Sequence, residues 1–430
     1  MTDPVVIVGG GITGLAAAHE LHRRGVDMLV LEASERLGGK IDGGPVGGLY
    51  VDSGPDGFLA RQPEVADLCR ELGLDDDLVR PTAGGAFMWV DGALRPIPAP
   101  SVLGVPLDAD AVAASGIVSA AGVEELRRSF DAEAEPLVGD ASVGGVLRPR
   151  VGDEVFERLV DPLLGGINAG NADEMSIAAG APQLAEAAAD GGSLRIALAT
   201  RAGAAAATPG PVFLGLRGGM RVLLEALRDE LGDSLRTNHT VTAIERSGTG
   251  WRVVTSSGTI DASGVIVAVP APAASRLVSP LAAQAGALLD DLVYASAVLV
   301  TFVVRNDRID RPFDGSGFLV PRDQGLLMTA CSAASSKWAH FDDGTHAVLR
   351  VSAGRTDDPR WLDLGPDAVV EQLSRELVTT IGMGTPEEVR VTEWRHALPQ
   401  YRPGHLERVD LIERSLEDDA PGVVVTGASM

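Results

Sequence analysis

Val5-Val6-Ile7-Val8-Gly9-Gly10-Gly11-Ile12-Thr13-Gly14 is the stretch that decides the fold. Four consecutive β-branched apolar residues read as a strand buried on both faces, and the glycines behind them fit a G-x-G-x-x-G spacing at Gly9, Gly11 and Gly14. The apolar period then changes from continuous to helical through Leu15, Ala18, Leu21 and His22. Gly25 stops that helix, and Met28-Leu29-Val30-Leu31 resumes as a second strand. In such a βαβ unit Gly9 permits the tight turn, Gly11 lets backbone approach a pyrophosphate, and Gly14 lets helix pack on strand. The N–H groups of the following helix, entered through Gly10, Ile12 and Thr13, face the phosphates. Glu32 ends the second strand where an acidic residue accepts hydrogen bonds from an adenosine ribose, and its charge disfavours a 2′-phosphate.

Composition bounds the rest. A chain of 430 residues, 45% hydrophobic and 22% charged, has room for two or three domains around a large core. A formal charge of -24 argues against a nucleic-acid-binding surface and against broad attraction to anionic lipid. Cys69 and Cys331 form neither a disulfide framework nor a C-x-x-C site, no metal is expected, and a reducing cytoplasm fits. The first apolar run lacks a basic leader and is broken by glycines, so it reads as a sheet strand rather than a secretory signal. No apolar stretch approaches the roughly 18 residues of a transmembrane helix. Lysine occurs only at Lys40 and Lys337, and this skew toward arginine, with abundant Ala, Gly and Asp, suggests a high-GC genome.

Further along, an alternating strand near Leu49-Tyr50-Val51-Asp52 runs into a Gly54-Pro55 turn, and residues 63–74 read as an amphipathic helix. Between Pro106 and Ala207 helical, Ala-rich patterns dominate. A leucine stripe at Leu223, Leu224, Leu227 and Leu231 is core, and a period of two over Val241 to Ile260 reads as a strand meander. Val265 to Val269 is another buried strand, and β-rich runs recur at Tyr294–Arg305 and Ala347–Ser352. Read from residues alone, the chain is an α/β dinucleotide-binding fold with a second domain.

Several phrases resemble a known family. Glu32-Ala33-Ser34-Glu35-Arg36-Leu37-Gly38-Gly39-Lys40 resembles the extension by which the flavin-dependent amine oxidase superfamily approaches FAD with a glycine pair and a basic residue. Gly54-Pro55-Asp56-Gly57-Phe58-Leu59-Ala60-Arg61 resembles the flavin-adjacent segment of the oxygen-dependent protoporphyrinogen and coproporphyrinogen III oxidases. Gly92 to Pro98, Leu163-Leu164-Gly165-Gly166-Ile167, Gly317 to Pro321, Ala330 to Trp338, and Trp394 to Tyr401 are similar to phrases of the same family. Asn168 departs from it, because relatives commonly carry an aromatic there, which leaves the cavity width at that point open.

The resemblance covers Pro4 to Gly427 and implies a Rossmann-like FAD-binding domain (1–85, 208–275 and 386–430), a mixed-sheet substrate domain (86–105 and 276–385) and a helical insertion (106–207). It places Gly9 to Gly14, Glu32, Ala33, Arg36, Gly39, Lys40, Gly54 to Gly57, the backbone of Val241, and Trp394 on FAD. Gly166, Ile167 and Asn168 would border the substrate, and Arg61 would meet a propionate as a bidentate donor. The implied reaction removes six hydrogens from a porphyrinogen, with FAD passing electrons to three equivalents of O2. It calls for an aligned apolar cavity and no side-chain acid or base. The actinobacterial type favours coproporphyrinogen III; protoporphyrinogen IX stays open. Hand-over of product to a ferrochelatase and peripheral membrane contact are compatible with the resemblance. An amine oxidase or carotenoid desaturase would share Gly9 to Lys40 alone, and a porphyrin-binding relative without turnover is the reading from another class. The chain stops at Met430 where the family continues into a flavin-covering segment, so the chain is expected to hold FAD weakly.

Overall fold

In the computed structural model, which describes residues 3–206, 210–312 and 314–430, the Val5–Val8 strand is the middle of a five-stranded parallel sheet. The order across it is Leu235–Arg236, Met28–Leu31, Val5–Val8, Gly264–Val267 and Val423–Val425. Val5 pairs with Met28 on one side and with Gly264 on the other. The alternation of side chains explains why the run is apolar throughout. Val6 and Val8 pack with helices Ala271–Val278, Ala283–Asp290 and His405–Asp419, whereas Ile7 packs with Leu15 and Ala18 of helix Ile12–Arg23 and with Leu223 and Leu227 of helix Arg221–Leu231.

A second, mixed sheet has seven strands in the order Glu388–Pro399, Tyr294–Arg305, His346–Ala353, Met328–Ala333, Gly317–Leu319, Phe87–Val90 and Ala93–Pro96. Helix Pro366–Ile381 covers one face through Val369, Leu373, Leu377 and Ile381, one residue per turn. On the other side the ribbon Gly43–Val46 and Leu49–Asp52 packs Val46 and Val51 with Val303, Val348, Trp338 and Phe341. The third unit is helical and runs from helix Ala109–Ser115 to helix Leu194–Ala206, with its own core around Leu126, Leu147, Phe156 and Leu184.

The fold class is as expected, an amine-oxidase-like α/β architecture, but two boundaries move. Glu388–Pro399 belongs to the second sheet, paired antiparallel with the first twelve-residue strand from Tyr294↔Pro399 to Val303↔Glu388, so the chain rejoins the parallel sheet only at Val423. The two helices between Ala271 and Asp290 bury Ala274, Val278, Ala285 and Leu289 against the parallel sheet, so the segment from 276 to about Leu292 sits with the nucleotide-type layer. Of the expected insertion 106–207, Ala207 lies outside the described residues, as do Met1 and Thr2 of the first segment, Thr208 and Pro209 of the second, and Phe313 of the substrate unit.

Candidate functional site

The carboxyl ends of four parallel strands, at Val8, Leu31, Ala268 and Thr426, open onto a cavity of about 710 Å³. In open α/β sheets this is where ligands bind. Of the residues expected at a cofactor, Gly9, Gly11, Ile12, Thr13, Glu32, Ala33, Gly39, Lys40 and Val241 line it. Helix Ile12–Arg23 points its N-terminus here, with Gly11 as N-cap, no side-chain cap and no acidic residue in its first turn. Its free N–H groups and positive dipole end therefore suit an anion.

Gly11 and Gly14 differ in what they make room for. A Cβ on Gly14 would lie 2.0 Å from the Gly9 carbonyl oxygen, so helix and turn touch there. A Cβ on Gly11 would meet nothing nearer than Gly39 Cα at 3.9 Å; the space it leaves belongs to the cavity. Lys40 and Arg276 line the same cavity, and neither makes an ion pair with a described residue. Burial pushes the Lys40 ammonium below the usual lysine range.

Gly10 and Arg36 work behind the lining. Gly10 N donates to Glu32 Oε2 at 2.8 Å, and Ser34 N and Oγ donate to Glu32 Oε1 at 2.8 and 2.7 Å, so the carboxylate is fixed from both sides. Arg36 donates to the carbonyls of Leu37, Gly39 and Ile41, which stiffens the loop that brings Gly39 within 3.2 Å of the Gly11 Cα should it carry a Cβ.

The turn from Gly54 to Gly57 stands between this cavity and a second one. A Cβ on Gly54 would sit 2.0 Å from the carbonyl oxygen of Lys40, so the turn abuts the nucleotide side directly. Trp394 Nε1 donates to the carbonyl of Ser53 at 2.8 Å, and Arg350 Nη2 donates to that of Gly54 at 2.5 Å. On its other flank Asp56 is paired with Lys337 at 3.0 Å, and Lys337 lines an apolar cavity of about 490 Å³ with Leu163, Phe213, Phe318 and Leu319. Gly54 to Gly57 and Trp394 line neither cavity; the turn touches one lining residue of each, Lys40 through Gly54 and Lys337 through Asp56.

The expected substrate residues separate here. Leu163 lines the apolar cavity, a Cβ on Gly166 would lie 3.7 Å from Leu319 Cδ2, and Ile167 is 62% exposed one turn beyond Leu163. Asn168 turns away: its amide donates to the Leu164 carbonyl at 3.2 Å and its own carbonyl accepts from Gln400. Arg61 is exposed, lines neither cavity and makes no ion pair with a described residue.

The family model described as flavin containing amine oxidoreductase matches residues 12–430. The chain belongs to that family. Among curated relatives, coproporphyrinogen III oxidase of Bacillus subtilis is 31% identical over 99% of this chain and 93% of its own, and coproporphyrinogen III oxidase of Mycobacterium tuberculosis is 34% identical over 98% and 92%. The crystal structure of an Exiguobacterium protein assigned as a protoporphyrinogen oxidase superposes with a TM-score of 0.89 at 31% identity, covering 100% of this chain and 94% of that one.

As a flavin-containing amine oxidoreductase the chain takes FAD, and the residues present fit it: an empty approach at Gly11, an uncapped helix N-terminus and two unpaired cations for a diphosphate, and a fixed carboxylate at Glu32. Sequence reasoning missed part of the lining. Tyr294 reaches the cavity from the second sheet, where its hydroxyl accepts from Ala271 N at 3.0 Å and bonds Ser429 Oγ at 2.6 Å. An isolated tyrosine at the head of an apolar strand carries no signal for that. His239 and Thr240 also line it, and Gly-free polar turns of this kind are indistinguishable from any loop.

Proposed function

We propose that the protein oxidises coproporphyrinogen III to coproporphyrin III, with three equivalents of O2 reduced to hydrogen peroxide. The observation that carries this reading is likeness over almost the whole chain to proteins that bear that name. Bound FAD supplies a two-electron acceptor that O2 reoxidises. The chain's own residues supply placement. In this reading the Gly9–Gly14 turn with Ile12 and Thr13, Gly39 and Lys40 hold the diphosphate. Glu32 and Ala33 meet the ribose, the Val241 backbone meets the adenine, and Pro55 to Gly57 with Trp394 support the flavin ring.

The apolar cavity beyond that turn would seat the macrocycle, with Gly166 and Ile167 at its Leu163–Leu319 side and Asn168 in the scaffold. Apolar walls exclude water and align a ring that needs no side-chain acid or base. Arg61, exposed and outside the lining of the apolar cavity, would meet a propionate only at the edge of a macrocycle that projects from it. Two buried, unpaired cysteines support a reducing cytoplasm as its compartment, and no helix among the described residues is long and apolar enough to cross a membrane. Release of product to a ferrochelatase rests on the family resemblance alone.

The test is turnover by the flavin-loaded protein, followed as porphyrin fluorescence and peroxide release. The expected result is a higher kcat/KM for coproporphyrinogen III than for protoporphyrinogen IX. Turnover of protoporphyrinogen IX alone would overturn the substrate, and tight flavin with no turnover of either would favour the porphyrin-binding alternative.

A further inference from the structure

The apolar cavity has one charged residue in its lining among the described residues, Lys337. Its ammonium is held by three neighbours. Nζ lies 3.0 Å from Asp56 Oδ1, 5.4 Å from the centre of the Phe213 ring and 5.0 Å from that of Trp338. Asp56 does not belong to Lys337 alone, because its other oxygen lies 2.6 Å from Arg350 Nη1. The trio of one carboxylate and two cations, all largely buried, has an excess of one positive charge. Asp52, four residues before Asp56, forms no ion pair with Lys337 or Arg350; both its oxygens accept from Met220 N, at 3.1 and 3.3 Å, at the start of helix Arg221–Leu231.

An ammonium has three N–H donors, and Asp56 takes one. The two ring faces hold the group in place by cation–π attraction without supplying a lone pair. A charge with unspent donors at the wall of an apolar space is costly until an anion joins it. We infer that Lys337 is the anchor for a carboxylate of the substrate, a propionate at the rim of the macrocycle. This rests on the porphyrinogen oxidase reading above. Position makes the contact useful, because Lys337 is tied through Asp56 to a turn whose Gly54 packs on the backbone of Lys40, a lining residue of the nucleotide cavity. A propionate held there would stop the ring from turning freely in the apolar space and set one of its four propionate-bearing pyrroles beside Lys337.

The test uses the flavin-loaded enzyme and its Lys337→Met and Lys337→Arg variants. Methionine keeps an unbranched stem and leaves Asp56 paired with Arg350. The expected result is a KM for coproporphyrinogen III raised about tenfold or more in Lys337→Met with kcat changed by less than about twofold, and a return toward wild type in Lys337→Arg. Binding is read separately by quenching of tryptophan fluorescence with coproporphyrin III and with its tetramethyl ester. Wild type should prefer the free acid, Lys337→Met should lose the preference, and the ester should bind both alike. An unchanged KM, or a loss of ester binding equal to that of the acid, overturns the anchor. If wild type turns over no porphyrinogen, the functional reading falls by itself, and the acid-over-ester preference still decides for or against Lys337.

Discussion

Arg350 holds Asp56 and the backbone beside it at once: Nη1 lies 2.6 Å from Asp56 Oδ2 while Nη2 donates to the Gly54 carbonyl at 2.5 Å. One buried guanidinium therefore fixes both ends of the turn that separates the two cavities. A lysine could supply the charge there but not the forked geometry.

The first prediction concerns that pair. Burial pushes the Asp56 carboxyl up, but Arg350 and Lys337 outweigh burial and hold it at about 2, below its ordinary 3.8. A carboxyl depressed in the folded state contributes stability that is present above its unfolded value and lost as pH falls through the folded one. The window therefore runs from about pH 4 down to about pH 2 and spans about 2 kcal/mol. Urea unfolding should show Asp56→Asn well below wild type near neutrality, with the gap narrowing once pH drops below about 4. Arg350→Met, which leaves the Gly54 carbonyl and one Asp56 oxygen unmet, should cost about 3 kcal/mol at neutral pH.

Asp52 has the opposite sign. Burial pushes its carboxyl up to about 6 in spite of the Met220 N–H that favours the charged form. A carboxyl raised in the folded state favours folding most below its unfolded value, and that contribution disappears as pH climbs from about 4 to about 6. Asp52→Asn removes the buried charge and keeps an acceptor for Met220, so it should stabilise the protein near neutrality by about 1–3 kcal/mol and give no gain near pH 4. Denaturation midpoints at the two pH values decide it; equal effects at both would assign the residue a purely steric role.

What was legible in the sequence and what was not divide along contact range. The Val5–Gly14 run and Glu32 could be read because their partners lie within one βαβ unit: Gly10 N reaches Glu32 across 22 positions. The Lys337–Asp56 bond spans 281 positions and the Trp394–Ser53 bond 341, and no local pattern encodes either. Gly54 was visible as part of a family phrase, but its physical reason, contact with the Lys40 carbonyl, exists only in the folded chain. The two helices between Ala271 and Asp290 were not read from the sequence, and the residues from 276 on were grouped with the substrate unit, because small apolar stripes fit either layer. Glu388–Pro399 was grouped with the nucleotide-binding segments through family likeness, and its pairing with Tyr294–Arg305 is a long-range contact that no local pattern states.

A third prediction follows from the cysteines. Both are buried, and burial pushes the thiol of Cys69 up to about 11 and that of Cys331 to about 12. The thiolate is the reactive form, so neither should react with a disulfide reagent in the native protein at mildly alkaline pH, and both should react after denaturation. Fast labelling of Cys331 in native protein would show that the apolar cavity, which it lines, opens to solutes of that size.

The last prediction separates the two glycines of the first turn. Gly14→Ala places a Cβ 2.0 Å from the Gly9 carbonyl oxygen, a backbone atom that cannot swing aside, so helix and turn must part. The variant should lose stability by about 2 kcal/mol or more, or fail to fold, and lose flavin as a consequence. Gly11→Ala meets no protein atom nearer than 3.9 Å and adopts a backbone angle of −73° that any residue tolerates. Its methyl group enters only the cavity. The apoprotein should therefore unfold at the same denaturant concentration as wild type, or slightly higher because alanine narrows the unfolded ensemble. Flavin affinity should fall, and Gly11→Val should abolish it while the apoprotein still folds. The measurements are apoprotein denaturation and visible flavin absorbance after reconstitution. A Gly11→Val protein that retains stoichiometric flavin would place the diphosphate elsewhere, and a Gly11→Ala apoprotein as damaged as Gly14→Ala would make the glycine a packing requirement instead of a ligand one.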